Sequence, residues 1–273
     1  MKRRCSRQSG LIDISYQLME KRICRDNFFK EAKKLIARAR ELSKEKGVSY
    51  VIRTGVETIL HWPVDAFICW HYKIFHSSRT FELHNVTYKY FYHRYNPTWR
   101  NERAVEIPVI WRVVEKYQGQ KILEVGNVLS HYFPFEHDVL DKYEKAEGVL
   151  NQDVVDFHPA KKYDLIVSIS TLEHVGWDEN PRDPMKLLKA FENLKRLIAP
   201  NGKLAVTLPI GYNTALDELL KNNRIQFTDM YCLKRMSEDN DWAEVGWNDV
   251  CDSKYDPVIQ KINGLIIGIM ENK

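Results

Sequence analysis

The stretch Ile122-Leu123-Glu124-Val125-Gly126-Asn127 decides the fold. A short run of buried-strand character carries one acid and stops at a glycine. Glycine lets the backbone turn tightly and lets a ligand lie close against it. Working outward, strands are predicted at 121–125, 137–141, 148–151 and 163–168. A helix is predicted over 183–198, with Met185, Leu188, Phe191, Leu194, Leu197 and Ile198 on its apolar face. Pro200-Asn201-Gly202 reads as a turn, and further strands are predicted at 203–208, 225–233 and 264–270. Strands alternating with helices imply an α/β fold, a mainly parallel sheet with helices on both faces. Ligands of such sheets bind at the carboxyl ends of the strands.

Acids stand at those ends. Glu124, Asp141 and Asp153 close three successive predicted strands, with Glu144 just beyond the second. An acid at the second strand end can accept the hydroxyls of a ribose. Val154 and Val155, next to Asp153, suit the faces of a flat base. After the fourth strand, Ser168-Ile169-Ser170-Thr171-Leu172-Glu173-His174-Val175-Gly176 brings Ser170, Glu173 and His174 to the same rim. Each has a plainer alternative. Glu124 suits a cap or a pair with a nearby base, Asp141 an exposed turn, and Asp153 competes with Asp156.

Leu123-Glu124-Val125-Gly126, Asp141, Asp153, the segment from Tyr163-Asp164-Leu165-Ile166 through Glu173-His174-Val175, and Leu197-Ile198-Ala199-Pro200-Asn201-Gly202-Lys203-Leu204 resemble the ordered motifs of class I S-adenosylmethionine-dependent methyltransferases. The resemblance covers about residues 105–270 and rests on the order of the motifs, none of which is specific alone. It implies a Rossmann-like seven-stranded sheet whose last strand is antiparallel, and S-adenosyl-L-methionine as cofactor. Carried over by position, Glu124 and Gly126 meet the methionine end, Asp141 the ribose and Asp153 the adenine amino group. The full cofactor-binding set expected is Glu124, Gly126, Asn127, Ser130, Asp141, Asp153, Val154, Ser170 and Glu173. The chain departs from the family at the glycine-rich turn, where Val128 and Ser130 replace the second and third glycines. That loss damages a dinucleotide reading most, because a pyrophosphate needs close backbone approach there. Between Asn127 and Glu136 the chain is short and holds Pro134, so the first crossover helix is expected to be stunted.

The rest of the chain sets bounds. It has 273 residues and a net charge of +4. Residues 1–47 carry fourteen Lys+Arg against six Asp+Glu, a balance of +8 that leaves −4 on the remainder. A helix is expected from Asp26 to Gly47 with a solvated basic face; binding of nucleic acid by this head has no supporting motif. Residues 1–104 read as an N-terminal extension, a lid or dimer arm, and 105–273 as the methyltransferase domain. Phe81–Tyr92 suits an antiparallel hairpin or a lid, and Pro108 is expected to kink or break a helix over 101–117. The five cysteines form no C-x-x-C pair, which argues against a disulfide framework and for a reducing cytoplasm. No apolar run is long enough to span a bilayer, and no secretory leader is evident.

Methyl transfer from a sulfonium is an in-line displacement, in which orientation supplies much of the rate and a base helps a hydroxyl acceptor. His174 is the candidate base with Glu173 as its orienter, and His131 is the runner-up. The segment after the fourth strand lacks the Asn/Asp-Pro-Pro-aromatic tetrapeptide of amino-directed nucleic-acid methylation and has no Pro-Cys nucleophile. A small-molecule or glycan acceptor, methylated at oxygen, is the expectation. Aromatics between Trp70 and Trp99 and in Trp242–Asp249 suit a sugar pocket or a core. Two rivals remain: a metal-dependent glycosyltransferase using Asp239-Asn240-Asp241, and a non-catalytic methyltransferase-like module that binds protein or RNA.

Overall fold

The computed structural model describes residues 64–134 and 136–272. The helix expected at Asp26–Gly47 and the basic head lie outside the described residues. The chain divides into two compact units, Met1–Ala66 and Phe67–Lys273, and the elements below belong to the second. The expected boundary at 104/105 falls inside that unit.

Residues 67–75 are helical (α1). Strands β1 (Thr80–Leu83) and β2 (Val86–Lys89) pair antiparallel. Their two-residue turn, His84-Asn85, has φ of 51° and 58°, the geometry that matches a hairpin's twist. Helix α2 (Arg103–Val114) contains Pro108 without ending there. Pro108 has no N–H to donate to Ala104, and the Phe91 N–H takes that carbonyl instead at 2.9 Å.

Among the described residues eight strands form one sheet, in the order β5-β4-β3-β6-β7-β10-β8-β9. They are β3 (Ile122–Val125), β4 (Asp138–Leu140), β5 (Val149–Leu150), β6 (Tyr163–Ile169), β7 (Ile198–Ile210), β8 (Asp229–Arg235), β9 (Trp242–Val245) and β10 (Gly264–Glu271). Strands β5, β4, β3, β6 and β7 run parallel, and β10 lies antiparallel between β7 and β8. This is the Rossmann-like sheet with a reversed last strand that the motif order implied. The expected count of seven is one short, because β9 pairs antiparallel with β8 at the edge. The predicted turn at Pro200–Gly202 appears inside β7: Tyr163 pairs with Ile198, the next pair is Leu165 with Lys203, and Asn201 has φ 62°.

Alternating side chains send the sheet's two faces into separate cores. Ile166, Leu204, Val206 and Leu208 pack under α3 (Lys186–Leu197) and α4 (Thr214–Lys221). Leu165, Val167, Ile169 and Ala205 pack under α2 through Ile107, Ile110 and Val114. The hairpin, with Phe81, Leu83, Tyr90, Tyr92 and Trp99, joins Leu233, Trp242, Leu265 and Ile267 in a third cluster. Phe81, Tyr90, Tyr92, Trp99 and Trp242, considered for a sugar pocket, are therefore core, whereas Trp70, Phe75 and Tyr95 are exposed. A last short helix, α5 (Trp247–Val250), follows β9. No helix among the described residues is long and apolar enough to cross a membrane.

Candidate active site

The strand order reverses between β3 and β6, and this switch point is where doubly wound sheets take their ligands. Gly126 turns the chain here with φ 88°, and its N–H donates to the Leu140 carbonyl at 2.8 Å. A Cβ at Gly126 would sit 2.2 Å from Thr171 Oγ1, so the turn and the segment after β6 touch. The crossover beyond it shrinks to one 3-10 turn, Leu129–His131.

Glu124 is wholly buried, and both its oxygens are used internally. Oε1 accepts from the Val128 and Leu129 N–H groups at 2.9 and 2.6 Å, and Oε2 meets His137 Nε2 at 2.6 Å. The acid caps the 3-10 turn that replaces a glycine-rich loop, so the expected contact with a methionine group is not what this geometry displays. Asp141 ties loops together. Its Oδ2 accepts from the Asn127 N–H at 3.1 Å and its Oδ1 from Tyr143 and Glu144 N–H at 2.8 and 2.7 Å. Asn127 Nδ2 donates to Glu144 Oε1 at 2.8 Å, and the Ser130 hydroxyl donates to Asn127 Oδ1. His131 meets Glu144 at 3.2 Å and stacks on Tyr95 with ring centres 4.2 Å apart.

Asp153 stands in a separate ionic cluster. Lys142 and Lys186 reach its Oδ2 at 2.8 and 2.6 Å, and the same two ammonium groups reach Glu179 at 3.1 and 2.6 Å. The lysines outweigh burial and hold the Asp153 carboxyl below its ordinary range. Val154 is not on the rim: it is buried in the core, with its carbonyl taken by Asn193 at 2.8 Å. Val155 borders a cleft of about 380 Å³ shared with His158, Lys186 and Asn193.

The segment after β6 holds the second group. Ser170 is buried with φ 38°; its N–H donates to Thr207 Oγ1 at 3.0 Å and its hydroxyl to Glu106. Glu106 Oε1 also accepts from Thr207 Oγ1 at 2.6 Å, and Arg103 donates to its Oε2 at 2.7 Å. Glu173 is 1% exposed, and its Oε2 has no donor among the described residues. Burial pushes its carboxyl well above the usual range, and the Glu106 and Glu102 charges push further against Arg103. His174, with a half-exposed side chain, meets Asp178 through Nδ1 at 2.5 Å. Asp178 also accepts from the Tyr212 hydroxyl at 2.7 Å, and the Tyr212 ring lies edge-on to the imidazole at 4.9 Å. Glu173 Oε1 is 3.6 Å from His174 Nε2, beyond hydrogen-bond reach. The orienter of His174 is therefore Asp178 and not Glu173.

The structure thus gathers Asn127, Ser130, Asp141 and His131 in one group and Ser170, Glu173 and His174 in another, with Asp153 apart. Sequence reasoning missed Arg103, Glu106, Asp178, Thr207 and Tyr212. Two signals were present: Glu106 interrupts an apolar helix face, and Asp178 follows His174 by four positions. The triplet Asp239-Asn240-Asp241 is a structural turn. Asn240 is buried and accepts from Trp242 Nε1 at 2.8 Å, and Asp241 pairs with Arg79 at 2.5 Å. No group of three or more His, Cys, Asp or Glu placed to hold a metal occurs among the described residues.

The sheet order, with β10 reversed between β7 and β8, defines the class of fold, a Rossmann-like α/β fold. Among solved structures, the chain is similar to the N-methyltransferase NodS from Bradyrhizobium japonicum WM9 in complex with S-adenosyl-L-homocysteine, at 14% identity over 63% of this chain and 87% of that one, with a TM-score of 0.41. It is similar to the sugar N-methyltransferase KedS8 from Streptoalloteichus at 13% identity, covering 62% and 88%, with a TM-score of 0.33. The glycopeptide N-methyltransferase MtfA complexed with S-adenosyl-L-homocysteine gives 9% identity, 59% and 87% coverage and 0.35. Likenesses this distant do not carry an acceptor over. No family model matches the chain, and no curated protein does.

Proposed function

We propose that the chain is an S-adenosylmethionine-dependent methyltransferase acting at oxygen on a small-molecule or glycan acceptor. The observation that carries this reading is the switch point itself. The Gly126 turn and the Asp141 loop lie on one side of it, and Glu173 and His174 on the other. The residues suit the cofactor: Gly126 keeps the turn tight, and buried Glu173 Oε2 has acceptor capacity that the described residues leave unused. S-adenosylmethionine, when bound, supplies a methyl group on a cationic sulfur. Gly126, Asn127, Asp141, Ser170 and Glu173 would hold it, with Asp153 on the adenine side. Glu124 and Ser130 support that surface through the 3-10 turn and Asn127, and Val154 supports it through the core.

The chain's own chemistry is proton handling. A carboxylate only accepts, so Asp178 fixes the proton of neutral His174 on Nδ1 and leaves Nε2 with its lone pair. Nε2 then takes the proton of an acceptor hydroxyl as the oxygen reaches the methyl carbon. The thiols of Cys232 and Cys251, in no disulfide among the described residues, suit a reducing compartment such as the cytoplasm.

Calorimetry with S-adenosylhomocysteine tests the reading. Binding that Asp141→Asn and Asp153→Asn each weaken supports it. If the intact protein shows no heat of binding while retaining tight, salt-sensitive RNA binding, the non-catalytic module is the better description.

A further inference from the structure

The loop from Ser253 to Asn263 leads into β10 and lies on the same sheet edge as His174. Gly264 pairs with Ile210 and with Lys234, so the loop crosses the carboxyl ends of β7 and β8, and β6, which leads to His174, runs parallel to β7. The loop is packed against that edge. A Cβ at Gly211, just after β7, would sit 2.4 Å from the Ser253 carbonyl oxygen, and the Tyr255 ring meets Tyr212 edge-on with ring centres 5.1 Å apart. Tyr212 in turn donates to Asp178, the partner of His174. The loop is also stiff. Asp256 and Lys261 exchange backbone N–H and C=O bonds at 3.1 and 3.0 Å. The Asp256 carboxylate accepts from the Val258 and Ile259 N–H groups at 2.9 and 3.3 Å, and Lys261 pairs with Glu238 at 2.6 Å. Arg235 holds the far end through the Ile262 and Asn263 carbonyls at 2.8 and 3.0 Å.

At its tip this frame holds Val258 and Ile259 at 88% and 62% exposure, and Met236, which follows Arg235, is exposed too. Ile262 is buried, so the loop sorts its aliphatic side chains and keeps two of them outside. The charged groups that flank the tip are already engaged, Asp256 by the tip N–H groups and Lys261 by Glu238. Exposed aliphatics grouped on a ligand-binding rim mark a place for an apolar ligand. We propose that this loop recognises the acceptor, and that the acceptor is amphiphilic: its polar head lies by Tyr255 and His174, and its alkyl or acyl chain lies on Val258, Ile259 and Met236. The word acceptor rests on the methyltransferase reading, while the alkyl-chain site rests on the loop alone. Covering the tip removes apolar surface of both partners from water, and a loop already fixed by its own hydrogen bonds loses little freedom on binding.

The test titrates methyl, butyl and octyl β-D-glucoside, the last below its micelle-forming concentration, into the full chain saturated with S-adenosylhomocysteine. Affinity should rise with chain length, with the octyl compound at least about tenfold tighter than the methyl one, since burial of about two methylenes already gives that factor. Val258→Ser combined with Ile259→Ser should remove the margin. Both side chains are exposed, so this variant should keep the wild-type melting temperature and a S-adenosylhomocysteine affinity within about threefold of wild type. Equal binding of the three glucosides overturns the proposal, as does a margin that survives the double substitution. Sedimentation with phosphatidylcholine vesicles that depends on Val258 and Ile259, with no margin among the glucosides, also overturns it, because the tip would then meet a lipid surface and not an acceptor. If the intact protein ignores S-adenosylhomocysteine yet keeps the loop-dependent preference for the longer chain, the alkyl site stands and the methyltransferase reading falls.

Discussion

His174 and Asp178 are joined through Nδ1 at 2.5 Å, and the Tyr212 hydroxyl holds the same carboxylate oxygen from the other side at 2.7 Å. An imidazole held in this way favours one tautomer and one orientation, which is what the proposed base requires.

Removing the carboxylate charge while keeping its shape tests that arrangement. Asp178→Asn should slow turnover by about 10²-fold or more, as should His174→Ala, since a positioned base contributes roughly 10²–10⁴. Tyr212→Phe leaves the His174–Asp178 hydrogen bond and should cost about tenfold or less. S-adenosylhomocysteine affinity should be unchanged in all three. Turnover of His174→Ala within a few-fold of wild type at neutral pH rules out the base.

Glu124 is a structural acid in this geometry. Its side chain and that of His137 are 0% and 1% exposed, and it also satisfies two backbone N–H groups. Glu124→Ala would leave all three without their partner, at a cost of about 3–5 kcal/mol by urea unfolding. A loss under about 1 kcal/mol would show that the carboxylate is free to serve a ligand.

Glu173 should give the opposite sign. Its folded carboxyl binds its proton more tightly than the unfolded one, whose pKa is about 4.3. Folding therefore favours proton uptake, and stability falls as pH climbs from that value towards the raised one. Glu173→Gln removes the decline. Its melting temperature should exceed that of wild type at pH 7, with the advantage gone near pH 4. A Gln variant that melts below wild type at pH 7 contradicts this.

Gly126 is constrained twice, by φ 88° and by Thr171 Oγ1 and Cγ2 at 2.2 and 2.6 Å from the place of a Cβ. Gly126→Ala should cost about 3 kcal/mol or more, of which the left-handed backbone accounts for roughly 1–2. Adding Thr171→Ala removes the two nearest atoms and should restore the steric part alone. If the double variant is no more stable than Gly126→Ala, the contact between the two loops is absent in solution.

Much of this was open to a reader of the chain. The apolar run in 163–168 and the helical spacing from Leu188 to Leu197 report burial directly, so β6 and α3 were visible, and the order of such elements is itself topological information. Strand β9 was not visible, because the polar run Ser237–Asp241 looks like a solvated loop. Its polarity is consumed locally, Asn240 by Trp242 and Asp241 by Arg79. The site was half visible. His174 and Glu173 stood out by position, whereas Arg103 and Glu106 belong to a helix earlier in the chain than any strand of the main sheet.

The sequence by itself determined most of the sheet's strands and the rim where acids collect, since hydrophobic period and turn residues act locally. Only the tertiary structure decided what those acids do. Whether a carboxylate awaits a ligand or is already satisfied depends on groups brought beside it from distant positions. His137, just before β4, fills Glu124, Lys186 from α3 holds Asp153, and among the described residues none reaches the second oxygen of Glu173.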